Sequence, residues 1–149
     1  MEIKIETASI KLLDELYKIE EQCFDQEAFT KRQIAFLLTD YNTIALVAKA
    51  NNDIAGFIIT QVEIENNTLF GHIITINVAS ANRRKGIASK MLQEIEIILK
   101  QKGIRECHLE VREDNSAALK LYQNNGYQKI SKLEKYYGKA HGMYLKKIL

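Results

Sequence analysis

The chain contains no proline and no tract rich in glycine or serine, so no linker is visible and a single domain over residues 1–149 is expected. Its only cysteines, Cys23 and Cys107, are too few for a disulfide framework, and a reducing compartment is the expectation. Apolar runs extend over only a few residues, far short of a membrane span. Met1 to Ala8 alternates charge with isoleucine and has no signal-peptide apolar stretch. Twenty-one basic residues face 19 acidic ones, a net charge of +2, and this excludes the basic excess of a dedicated nucleic-acid binder. His72, His108 and His141 share no metal-ligand spacing with each other or with the cysteines, so no metal is expected. These absences together point to a cytoplasmic protein without a nucleic-acid or membrane partner. What remains is 46% hydrophobic and 27% charged, the composition of an ordinary globule that needs no staple.

The periodicity predicts a mixed α/β order. Met1–Glu6 reads as a strand with Ile3 and Ile5 on one face. Ser9 is placed to cap a helix striped by Leu12, Leu13, Leu16 and Ile19 and ending near Cys23–Phe24. Thr30 to Gln33 fits a capping box and opens a second helix with Ile34, Leu37 and Leu38 inward. Strands over 44–50, 54–65 and 69–78, separated by turns at Asn51–Asp53 and Asn66–Asn67, form an antiparallel meander. Ile87, Met91, Ile95 and Ile98 then recur at helical spacing until Gly103. A short strand over 107–111, a helix over 116–124 closed by Gly126, and a hairpin of 128–136 with 143–147 complete the chain.

Two segments carry chemistry. The first is INVASANRRKGIASKML, residues 76–92, an apolar strand that runs through Arg83-Arg84-Lys85-Gly86 into a helix. A helix N-terminus offers unpaired N–H groups and a positive dipole end. Gly86 and Ala88 let a ligand approach the backbone, and Arg84 and Lys85 add charge, so the segment suits a phosphate or pyrophosphate. A basic cap on a solvated face is the plainer alternative for this loop taken alone. The second segment is CHLEVREDNSAALKLYQNNGY, residues 107–127. Glu110 is an acid inside an apolar strand, where burial would raise its pKa and suit it to general base work. Asn115 and Tyr122 lie two helical turns apart and share a face. Taken singly, a salt-bridged Glu110 and a core Tyr122 account for the same residues. His108 shares a strand face with Glu110 and is read as packed core, as is Cys107 on the opposite face. His141 lies near the last hairpin.

Arg83-x-x-Gly86-x-Ala88 matches the Q/R-x-x-G-x-G/A signature of the GNAT acetyltransferase superfamily, and LEVREDNSAALKLYQNNGY resembles the corresponding stretch of RimI-like protein N-terminal acetyltransferases. The motifs stand in the family's order, and the element order resembles the GNAT fold over essentially the whole chain: a mixed, mostly antiparallel sheet flanked by helices. The resemblance implies acetyl-CoA as cosubstrate. It implies that Ile76, Asn77 and Val78 offer backbone to the pantetheine arm, that Arg84, Lys85, Gly86, Ile87, Ala88 and Ser89 hold the pyrophosphate with Arg83 at the loop entrance, and that Asn115 bonds the pantetheine. It implies Glu110 as general base and Tyr122 as general acid. Tyr136 and Tyr137 resemble the tyrosine pair that closes over a substrate N-terminus, and Phe24 and Phe29 fall in the loop that forms the opposite wall. That loop reads Asp25-Gln26-Glu27 where the family often has a Pro-Trp sequence, so acceptor identity does not carry over.

The implied reaction is acetyl transfer from acetyl-CoA to the N-terminal α-amine of a protein, a ribosomal protein being one candidate acceptor. A free α-amine has a pKa of about 8 and lysine about 10.4, so one carboxylate suffices for the former. Acetylation of a lysine or small amine on the same scaffold is the alternative. A non-catalytic acyl-CoA-binding module would be expected to lack Glu110 or Tyr122.

Overall fold

The structure is a computed structural model that describes residues 2–149, with Asp25 described by its backbone alone; the expected strand residue Met1 lies outside the described residues. Strand β1 (Ile3–Thr7) leads through a 3-10 turn (Ile10–Leu12) into helix α1 (Leu13–Phe24). After a second 3-10 turn (Asp25–Glu27) comes α2 (Lys31–Thr39), and then the strands β2 (Thr43–Ala50), β3 (Asp53–Glu65) and β4 (Thr68–Val78). A third turn (Ser80–Asn82) precedes α3 (Ile87–Gln101), β5 (Glu106–Arg112), α4 (Ser116–Asn124), β6 (Gln128–Tyr137) and β7 (Ala140–Ile148).

The expected caps divide. Thr30 closes its capping box: its side chain accepts from the Gln33 N–H at 3.1 Å, and the Gln33 side chain accepts from the Thr30 N–H at 2.8 Å. Ser9 stands at an N-cap, but its side chain makes no capping bond, and the chain begins with a 3-10 turn before α1. Both hairpins of the meander turn on asparagine pairs. Asn51, Asn52, Asn66 and Asn67 all have positive φ, the geometry a two-residue hairpin turn needs and that asparagine tolerates.

One seven-stranded sheet results, in the order β1-β2-β3-β4-β5-β7-β6. Residues 55–60 of β3 are buried without interruption because both faces of the sheet are covered. Successive side chains feed opposite cores. On one face Leu16, Ile19, Ile34 and Leu37 of α1 and α2 pack on Val47, Phe57 and Ile59. On the other, Met91, Leu92, Ile95 and Leu99 of α3 pack with Ile58, Ile73, Leu109, Tyr122 and Leu145. The α3 stripe is broader than expected: Leu92, Glu96 and Leu99 are buried as well, and Ile98 is only half-buried.

The site depends on a break in this sheet. The pairs flanking the β4–β5 junction are antiparallel, but β4 and β5 run parallel and pair only at Gly71–Cys107 and His72–His108. Beyond those positions the two strands stop pairing. The β3–β4 register also slips between Ile59 and Thr60, a bulge that bends β4 at this level. The C-terminal parts of β4 and β5 are therefore left with backbone groups that no neighbouring strand satisfies.

Candidate active site

Two cavities open where β4 and β5 separate. One, of about 580 Å³, is lined by residues of α1, the α1–α2 loop, β4, β5, α4 and the end of β6. The other, of about 670 Å³, lies against the α3 N-terminus. Both are lined by Ile76, Asn77, Val78, Ala88 and Asn115, so they join into one groove.

The α3 end of the groove has the features of an anion cradle. Gly86 is the N-cap at φ 76°, no side chain caps the helix, and its first turn has no acidic residue. The first N–H groups of α3 are thus left without a capping side chain. Arg84, at φ 63°, lines the cavity with Gly86, Ile87, Ala88 and Ser89. Arg83 also lines it, but its guanidinium folds back, donating to the Val78 carbonyl at 3.2 Å and to Cys23 Sγ at 3.5 Å. Lys85 is exposed and is not among the lining residues. Asn115 spends its side-chain carbonyl on the Ala118 N–H at 3.1 Å, capping α4, which leaves its amide N–H groups for a ligand.

Glu110 and Tyr122 come together in the first cavity, one from β5 and one from α4. Tyr122 is 5% exposed, sits edge-on to Tyr127 at 5.8 Å, and has no hydrogen-bond partner for its hydroxyl among the described residues. Burial, then Tyr137 and Cys107, push its pKa up, so it keeps its proton. Glu110 is half-buried rather than isolated in the core: its Oε1 lies 2.8 Å from Nε2 of His72. The other ring nitrogen of His72 lies 2.8 Å from Glu63. Burial alone would lower His72, but hydrogen bonds and charge from Glu110 and Glu63 outweigh it and push the pKa up to about 9.

The histidine that meets Glu110 is His72, which the sequence did not single out. His108 is buried, stacks on Phe70 at 4.2 Å, and bonds Glu106 at 3.0 Å and the Tyr144 hydroxyl. It is a packed residue, as expected. His141 accepts from the Lys135 N–H at 2.9 Å and so fastens the β6–β7 hairpin. Cys107 is fully buried, and burial pushes its thiol up to about 12, so it stays unreactive.

The mouth is built from the expected aromatics and from polar groups that the sequence concealed. Tyr136 and Tyr137 meet edge-to-face at 4.9 Å and line the first cavity with Phe24 and Phe29. Glu20 is 1% exposed and accepts from the Phe29 N–H at 3.1 Å, Thr75 Oγ1 at 2.8 Å and Asn77 Nδ2 at 3.0 Å. It therefore ties the α1–α2 loop to β4. Burial pushes its pKa up, against the pull of those hydrogen bonds. Arg112 holds the same loop from the other side, pairing with Glu27 and with Asp114 at 2.9 Å while lying over the Tyr137 ring at 5.9 Å.

Residues 12–127 match the profile of the acetyltransferase (GNAT) family. The chain is 28% identical over 153 residues to an N-alpha-acetyltransferase of Sulfurisphaera tokodaii, covering 97% of this chain and 91% of that protein. It is 33% identical over 92 residues to the ribosomal protein bS18-alanine N-acetyltransferase of Escherichia coli, covering 62% of this chain and 60% of that one. Its fold superposes on a chain of the NatC complex bound to Gag peptide and CoA with a TM-score of 0.91, 24% identity and coverage of 100% and 99%.

Proposed function

The chain belongs to the acetyltransferase (GNAT) family, and from that premise we propose that it moves the acetyl group of acetyl-CoA onto the N-terminal α-amine of a protein. The observation that carries this reading is the joined groove. It has an uncapped helix N-terminus at one end, a tyrosine pair at the other, and a carboxylate and a buried phenol between them.

The donor set fits acetyl-CoA. A Cβ added at Gly86 meets no atom within 4 Å, so there is open space for a phosphate at the unpaired N–H groups of α3. Arg84, Gly86, Ile87, Ala88 and Ser89 would hold the pyrophosphate, and Ile76, Asn77 and Val78, on the edge of β4 from which β5 has parted, would offer backbone to the pantetheine amides with Asn115. Lys85 would contribute charge from outside the lining. Acetyl-CoA supplies an acyl group already activated as a thioester.

The chain's own residues do the rest. Phe24, Phe29, Tyr136 and Tyr137 would enclose the acceptor's first residue and exclude water. Glu110 would take a proton from the α-ammonium; with a pKa of about 8, roughly a tenth of that amine is already neutral at pH 7. Tyr122, protonated by its burial, would donate to the departing sulfur. Holding amine and thioester together in the groove supplies the orientation on which most of the acceleration depends.

We read residues 1–149 as one catalytic domain. Cys23 and Cys107 are unpaired, which supports a reducing compartment such as the cytoplasm. The likeness to the E. coli enzyme supports a ribosomal protein as an acceptor. The test is incubation with labelled acetyl-CoA and peptides that vary in their first residues, each beside a twin with a blocked N-terminus and an internal lysine. Label on the free N-termini alone is expected. Label confined to the blocked lysine peptides would overturn the α-amine reading and leave the family assignment standing.

A further inference from the structure

Three side chains form a line that runs away from the groove. His72 Nε2 meets Glu110 Oε1 at 2.8 Å, and His72 Nδ1 meets Glu63 Oε2 at 2.8 Å. Carboxylates only accept, so an imidazole satisfies both of them only when each ring nitrogen carries a proton. Glu110 lines the cavity, whereas His72 and Glu63 are outside the lining. Side-chain exposure is 18% at Glu110, 21% at His72 and 39% at Glu63, so Glu63 can be altered at the rim without entering the groove.

Other titratable groups face this line from β5, β6 and β7. His108 is the register partner of His72 on β5 but is committed to Glu106 and Tyr144. Tyr144 of β7 is the register partner of Glu110 and keeps its proton, its pKa raised by burial and by the surrounding glutamates, Glu65 and Glu106 included. Tyr136 and Tyr137 of β6 are likewise raised, by burial and by charges that include Glu110. No second cation competes with His72 for Glu110 among the described hydrogen bonds and ion pairs.

We propose that His72, braced by Glu63, is a positioning residue for the acetyl-transfer base: it commits Oε1 of Glu110 and leaves Oε2 for the acceptor amine. The proposal rests on the reading of Glu110 as that base. A glutamate side chain has three rotatable bonds, and a carboxylate tied at one oxygen presents the other in a fixed direction. The bracing is complete while His72 is an imidazolium and weakens when the ring loses a proton, because one N–H cannot serve both carboxylates. The pKa of about 9 places that loss on the alkaline side of the amine's own titration.

The experiment is a pH profile of kcat/KM from about pH 6 to 10 on a peptide with a free N-terminus, for the parent, His72→Gln, Glu63→Gln and Glu110→Gln. The parent is expected to rise as the amine deprotonates near 8 and to fall as His72 titrates through about 9. His72→Gln donates one hydrogen bond but does not titrate. Its rate at pH 7 should drop by about tenfold, less than the roughly 10²-fold expected for losing the base itself, and its alkaline fall should vanish. Glu63→Gln removes one of the two charges that hold the proton on His72, so its fall should begin at lower pH. A parent curve without an alkaline fall, or the same fall in parent and His72→Gln, overturns the proposal. Acetyl-CoA-induced thermal stabilisation reports whether each variant is folded. If His72→Gln is not, an alkaline limb in Glu63→Gln unmoved from that of the parent overturns it instead. Glu110→Gln separates the two readings: parent-like rates there at pH 7 remove Glu110 as base, whereas a large loss there beside a parent-like His72→Gln removes only the brace.

Discussion

Gly86 and Gly103 flank the two ends of α3 at nearly the same positive φ, +76° and +79°, and a Cβ at either meets nothing within 4 Å. Alanine at either position carries the same left-handed penalty, about 1–2 kcal/mol. For a domain of this size that is a loss of about 2–8 °C in Tm. Only Gly86 lines the groove. At about 100 times its Kd, acetyl-CoA should stabilise the parent by about 2.7 kcal/mol, or roughly 5–11 °C. A methyl group at Gly86 adds bulk where phosphate oxygens would approach the α3 N–H groups. A tenfold weaker affinity removes about 1.4 kcal/mol, half of that gain. Gly103→Ala should lose the same intrinsic stability and keep the whole acetyl-CoA gain. Gly86→Glu, which adds a negative charge, should abolish the gain. The assay is thermal melting of the parent and the three variants with and without acetyl-CoA. Equal gains in Gly86→Ala and Gly103→Ala would refute the cradle, because the pair differs in position and not in backbone cost.

Tyr122→Phe keeps the packed ring and removes the hydroxyl; acetyl-CoA binding should persist while turnover falls by roughly 10²-fold or more, and a change within about twofold would return Tyr122 to the core. Glu20→Ala leaves the Phe29 N–H and the Thr75 hydroxyl without their acceptor. It should cost about 2–4 kcal/mol by denaturant titration and raise KM for peptide more than for acetyl-CoA, since the loosened segment is the α1–α2 loop. His72 has its pKa raised by folding from the ordinary 6.5 to about 9, so its contribution to stability is complete below 6.5 and is lost as pH rises through 9. The Tm difference between the parent and His72→Gln should therefore be larger at pH 6 than at pH 10, and a difference independent of pH would show that the ring is not charged in the folded state.

The sequence carried the local structure well because its signals are local. The bounds of the 116–124 helix were legible to the residue, with Gly126 beyond its end, whereas the capping bond of Asn115 was not read. The asparagine pairs marked both meander turns, and Thr30 with Gln33 marked the start of α2. Ser9 misled, since a capping residue in the right place does not oblige the hydroxyl to bond when a 3-10 turn intervenes. Within the site, Glu110, Tyr122 and the loop at Gly86 stood out through residue type and spacing, and the fold brings all of them to one groove.

The partners of those residues were settled by tertiary structure alone. His72 and Glu110 are 38 positions apart, and nothing in the alternation of β4 distinguishes His72 from a solvated strand residue. It reaches Glu110 because β4 and β5, separated in sequence by α3, pair in parallel for two residues and then part. Glu20 reads like the exposed acids around it on α1, and its tie to β4 exists because Thr75 and Asn77 arrive from 55 and 57 residues away. Periodicity and caps are set by neighbours within a turn or a hairpin and can be read along the chain. Hydrogen bonds and charge coupling depend on distance in space, and the order in which strands join the sheet decides that distance.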